Sequence, residues 1–188
     1  MSAVFTPKRY KLTVADFHQL GVAGILAENC RVELIDGELI EMAPIGARHM
    51  TLVNQLNKLL VMAVGELGVV SIQNPIVLSP HSEPQPDLAI LKRPSPDAAP
   101  ALPEADDAML LIEVADSTLN YDRTTKLALY AQAKVPEVWI VNVTASRVET
   151  YCEPSAGGYA QKHEFGVGEI ISPRALPNVV LKVGEIFR

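Results

Sequence analysis

The chain has 188 residues, 48% of them hydrophobic and 20% charged, the composition of a folded chain and not of a disordered one. That length suits one domain, at about 100–200 residues per domain, and a single domain over residues 1–188 is expected. The net charge of -6 counts against a protein that coats nucleic acid through a broad positive field, although a local basic groove remains compatible with it. Lys92, Arg93, Arg123, Lys126 and Lys134 cluster in sequence and could supply such a groove.

The longest apolar stretches, such as Leu59 to Val64, fall far short of the roughly 20 residues of a membrane span, and no continuous apolar leader opens the sequence. A cytoplasmic location without a membrane partner is expected. Cys30 and Cys152 stand alone, so neither a disulfide framework nor a zinc site is indicated.

From the N-terminus, SAVFTPKRYKLTVADFHQLGV reads as an extended lead-in and then a short helix capped by Thr13. CRVELIDGELIEMAP follows, with two alternating runs around Asp36-Gly37, a strong hairpin signal. Strands are expected at about 31–35 and 38–42. Glu33, within the first, reads as readily as a solvated edge residue paired with Arg31 as anything functional.

Gly46 to Gly65 carries the clearest helix: His49, Leu52, Val53, Leu56, Leu60 and Ala63 form one apolar stripe, ended by glycine. His49 opens that stripe, where a boundary histidine is the commoner explanation than a phosphate or metal contact. Residues 69–73 and 76–78 are short strand candidates broken by Asn74-Pro75.

The stretch that organises the chain is Pro86 to Lys126. Residues 86–92 and 108–114 are apolar runs bounded by turn residues and read as strands. Pairing them antiparallel with Lys92 beside Ala108 puts Asp87 opposite Glu113, on one face of the sheet. Two half-buried carboxylates side by side repel, so one must protonate or share a cation. A hard divalent ion such as Mg2+ binds through one or two carboxylates and keeps waters, one of which can act as a nucleophile. Asp87 alone could be a turn residue after Pro86, but Glu113 inside LLIEVA is costly to bury without a positive partner.

Between these strands the Pro-rich segment 93–107 is expected to be a mobile excursion able to cover the site as a flap. Residues 121–133 read as a helix capped by Asn120 or Asp122. On it, Lys126 either pairs with Asp122 on a solvated face or brings an ammonium to a scissile phosphate, while Tyr130 on the same face reads as core. A core strand with Trp139 follows at 137–143. Residues 147–152 and 159–165 look like a closing hairpin, and residues 178–187 add a final strand or edge.

ELIDGEL, His49 on a helix, QPDLAIL, IEVADST, YDRTTKLALY and VPEVWIVN, in that order, resemble the Uma-two family of bacterial proteins, within the restriction-endonuclease-like PD-(D/E)XK superfamily. The similarity runs from about Tyr10 to Val143, with a weaker echo in LKVGEIF. It implies an α/β fold: a mixed β-sheet core flanked by helices, with extra N- and C-terminal strands. It also implies metal-dependent cleavage of nucleic-acid phosphodiesters. Carried over, Asp87 and Glu113 are metal ligands with the Val114 carbonyl completing the set, and His49 and Glu33 line the site. The superfamily lysine expected two residues after the second acid is replaced by Ala115, and the resemblance gives its role to Lys126.

The leading expectation is therefore a Mg2+-dependent endonuclease, with Mn2+ as a substitute ion and DNA as the nucleic-acid partner. A homodimer is one route to a double-strand cut, although no residue specifies it. The alternative is a non-cleaving nuclease-fold protein serving as a DNA-binding or oligomeric module, favoured by Ala115 and the acidic charge. A phosphoesterase acting on small molecules is a third reading.

Overall fold

The computed structural model describes residues 8–27 and 29–188. The beginning of the expected lead-in, residues 2–7, lies outside the described residues. Helix α1 (Val14–Val22) starts as expected at Thr13, in a capping box with Asp16. It buries no side chain and is fastened by polar contacts: Val14 N donates to the Pro80 carbonyl, and His18 Nε2 lies 2.8 Å from Glu83 Oε2.

Strands β1 (Val32–Ile35) and β2 (Glu38–Glu41) form a separate two-stranded sheet. Asp36 and Gly37 both have positive φ, 48° and 78°, the twist that a two-residue hairpin requires. A Cβ on Gly37 would also lie 2.5 Å from Lys11 Cβ. A β-bridge from Leu34 to Glu83, the Gly37 amide on the His81 carbonyl and the Asp36 amide on Ser82 Oγ tie this hairpin to the body.

Helix α2 (Ala47–Val64) buries Leu52, Val53, Leu56, Leu60 and Val64. Each such side chain contributes about 1.5–3 kcal/mol by leaving water. Val64 takes the last buried place, and Ala63 packs beside it, half-buried. The main sheet runs in the order β3 (Val69–Ile72), β4 (Leu88–Leu91), β5 (Ala108–Ala115), β6 (Glu137–Asn142), β7 (Arg147–Ser155), β8 (Gly158–Gly166). Only β5 and β6 are parallel neighbours. They are joined by the long helix α3 (residues 119–132), the connection a parallel pair needs. Strands β9 (Ile170–Ile171) and β10 (Leu181–Lys182) pair apart from this sheet, and α4 (Val183–Ile186) closes the chain.

Alternation along the central strands divides the core in two. Leu88, Ile90, Leu110, Ile112, Val114, Trp139 and Val141 pack with α2 and α4, while Ala89, Leu111, Ala115, Val138 and Ile140 pack with Leu127, Tyr130 and Ala131 of α3. Covering both faces explains why β4 to β6 read as unbroken apolar runs.

Several expectations are corrected. Residues 76–78 form no strand: their amides go to Pro84, Pro103 and Ser82 carbonyls of loops, leaving no ladder. The β4–β5 register slips between Ile90 and Leu91, so Leu91 and not Lys92 faces Ala108. Helix α3 begins after Thr118, not at Asn120 or Asp122, and its residues 122–126 form a wider π-turn. The segment 93–107 leaves the far end of the β4–β5 hairpin from Asp87 and Glu113, where Val77 and Lys92 anchor its second half. None of its residues lines the cleft described below, so it is not a flap over that site.

On the α3 side, Glu149 of β7 is buried and receives Arg123 through Nε and Nη2, and the Tyr151 hydroxyl at 2.6 Å, with Lys162 Nζ at 3.3 Å. Burial alone would raise its pKa, but these donors and charges hold the carboxyl down at about 2. The folded value lies below the unfolded 4.5, so the resulting stability is full above that pH and is lost as pH falls toward 2. From about pH 6 to about pH 2.5 the parent should lose about 2 kcal/mol more unfolding free energy than Glu149→Gln, after allowing for solvent screening at the part-exposed Arg123 and Lys162. Urea titrations at the two pH values check this; equal losses would remove the effect.

Candidate active site

Glu33, His49, Asp87, Glu113 and Lys126 all line one cleft of about 300 Å3, between the β1–β2 hairpin, the start of α2, the β4 and β5 ends and the start of α3. The ladder ends with Leu88 opposite Ile112, and Asp87 and Glu113 are the next residues along the two chains. Glu113 shares a face of β5 with Leu111 and Ala115, and Asp87 lines the same cleft. The two acids come to one cleft despite the slip between Ile90 and Leu91.

Asp87 is oriented by three donors. Its Oδ2 accepts from the Val114 amide at 2.9 Å and faces His49 Nε2 at 3.0 Å, while Gln73 Nε2 reaches Oδ1 at 3.5 Å. The carboxylate contact also raises the His49 pKa against the opposing effect of burial. Because the amide and carbonyl of one strand residue leave the chain on the same side, the Val114 carbonyl points to the edge where Asp87 sits.

Glu113 is 3% exposed. Its Oε1 accepts the Tyr130 hydroxyl at 2.5 Å and lies 3.1 Å from Lys126 Nζ. Burial pushes its pKa up to about 8, opposed by Lys126 and reinforced by Asp122, Asp87 and Glu33. Lys126, 6% exposed, also donates to Glu33 Oε1 at 2.9 Å. Burial works to lower its pKa, but Glu113 and Glu33 outweigh that and keep the ammonium charged.

The solvated readings of Lys126 and Glu33 are therefore overturned. Glu33 does not pair with Arg31; it is 3% exposed and accepts from Lys126 and the Gln85 amide. Arg31 instead donates to the Ala43 carbonyl. Of the five basic residues expected near a groove, only Lys126 lines the cleft. Lys92 bonds the Asp106 carbonyl, Arg93 pairs with Glu66, Arg123 with Glu149, and Lys134 lines a separate hollow.

Tyr130 was not anticipated in a polar role, and Asp122 was anticipated only as a helix cap or as a partner of Lys126 on a solvated face. Tyr130 is core, as read, yet its hydroxyl fixes Glu113; its position one turn past Lys126 was the available signal. Asp122 is buried, and its Oδ2 accepts the Thr118 hydroxyl at 2.6 Å.

Among the described residues, no three His, Cys, Asp or Glu side chains are placed to hold one metal ion. The donor set does fit an ion that binds through two carboxylates and keeps its waters. Asp87 and Glu113 each have one oxygen held by protein donors and the other lightly bonded or without a protein donor, as oriented ligands do. At Glu113 burial and the neighbouring acids outweigh the Lys126 ammonium. The His49 Nδ1 and the Tyr121 hydroxyl, both on the cleft, are buried without a protein partner.

The Uma2 family, described as "Putative restriction endonuclease", matches residues 14–184. No curated protein matches the chain significantly. Among solved structures, a "putative nuclease belonging to DUF820" from Anabaena variabilis superposes with a TM-score of 0.73 over 94% of this chain and 97% of that one, at 13% identity. At that identity the likeness carries the fold and no more, while the family match spans nearly the whole chain: the protein belongs to the Uma2 family of restriction-endonuclease-like proteins.

Proposed function

We propose that the protein is a Mg2+-dependent endonuclease that hydrolyses phosphodiester bonds in DNA, with Mn2+ able to replace Mg2+. The observation that supports this reading is that Asp87 and Glu113 line one cleft, with the Lys126 ammonium 3.1 Å from Glu113. Asp87, Glu113 and the Val114 carbonyl are the oxygens that would hold the ion. A bound divalent ion would polarise the phosphoryl oxygen and lower the pKa of a bound water.

The remaining roles belong to the chain itself. Lys126 has three N–H donors, two of them engaged by Glu33 and Glu113. The third can orient the attacking water or offset charge on the phosphate oxygens. Glu33 positions Lys126, and His49 positions Asp87.

The alternative of a catalytically weak or inactive module draws support from the same ion triad, since two carboxylates already neutralise Lys126. Plasmid nicking separates the two. Conversion of supercoiled plasmid in Mg2+ or Mn2+, abolished by EDTA, is the expected result. Bound plasmid left intact under both ions would favour the module.

A further inference from the structure

The cleft has two unlike halves. One side carries Glu33, Asp87, Glu113, Asp116 and Asp122, whereas the stretch leading from β2 into α2 is apolar apart from Glu41: Ile40, then Met42 to Ile45. Arg31 braces that stretch through its 3.0 Å bond to the Ala43 carbonyl. Ile45 is 45% exposed, so the stretch is open to a ligand and not core packing.

A double helix offers little to such a site. Duplex binding rests on many phosphate contacts by Lys and Arg, yet Arg31 and Lys126 are the cleft's Lys and Arg residues, each already bonded to protein oxygens. Duplex bases are also stacked inside, out of reach of a lateral apolar stretch. An unpaired strand differs on both counts. It bends into narrow clefts, and its unstacked bases are free to pack on apolar and aromatic side chains. A space of about 300 Å3 is at the small end for ligand sites, a scale suited to one nucleotide and not to a turn of duplex.

We propose, building on the nuclease reading, that the cleft takes one unstacked nucleotide of a single-stranded polynucleotide. Its base lies against the Met42 to Ile45 stretch and its phosphodiester on the Asp87 and Glu113 side. Single-strand specificity then follows from an apolar stretch beside an acidic one.

The test compares cleavage of one sequence as single-stranded DNA, single-stranded RNA and blunt duplex in Mn2+, for the parent and for Met42→Ser/Ile45→Ser, with Ile45→Ser alone as a milder second variant. Expected is cleavage of at least one single-stranded form about tenfold or more faster than duplex, with the DNA and RNA arms identifying the sugar accepted. KM for that form should rise about tenfold in the double variant and less in Ile45→Ser. Duplex cleaved as fast as single strands, or an unchanged KM in both variants, overturns the inference and leaves the nuclease reading standing. No cleavage of any form by the parent overturns both.

Discussion

Glu113→Gln should lower the rate of phosphodiester cleavage about a thousandfold, close to 4 kcal/mol of transition-state stabilisation. It should also weaken Mn2+ binding by about tenfold or more. Gln keeps the size of Glu and can still accept from Tyr130 and Lys126, so the lost property is the negative charge alone. The folded state should tolerate the change, because Asp87, Asp122 and Glu33 all oppose a charge at this buried position. Single-turnover cleavage, Mn2+ titration and thermal melting together make the reading secure: activity and ion binding should fall while the melting temperature holds or rises. Parent-like Mn2+ affinity in the variant would remove Glu113 from the ion site. Asp87→Asn is expected to follow the same pattern, with an added loss of orientation at His49.

How far the sequence foretold this site depends on how local each feature is. The Asp36-Gly37 turn and the Thr13 cap are set by residues within one turn, and both are where the sequence places them. That Asp87 and Glu113 come to one cleft was legible because apolar runs and a two-residue period fix a face. The slip at Ile90 and Leu91 was not, since no Gly or Pro marks it. The residues alone left Glu33 open for another reason. Alternation in a four-residue strand cannot say what covers it, and its partner Lys126 is 93 residues away. The π-turn at residues 122–126 was equally hidden, and Asp122 and Lys126 are both buried there, in a distortion that often marks functional helices.

Lys126→Met should destabilise the fold by about 3–5 kcal/mol, the cost of removing one partner from a buried ion cluster. The ammonium sits between Glu33 and Glu113, each 3% exposed, and is itself 6% exposed. Without it two carboxylates would face each other in a low-dielectric pocket, and one would have to take up a proton or draw in water. Urea unfolding at neutral pH measures the loss. Adding Glu33→Gln should restore part of it, because the pair removed together leaves fewer uncompensated charges. A Lys126→Met protein as stable as the parent would mean that the cluster is solvated and the ion pairs weak. The same energetics bear on activity. A dead Lys126→Ala enzyme would not by itself assign chemistry to the lysine, since Glu113 would lose its counter-charge as well. Lys126→Met/Glu33→Gln, if refolded to near-parent stability and still inactive, isolates the missing ammonium as the cause.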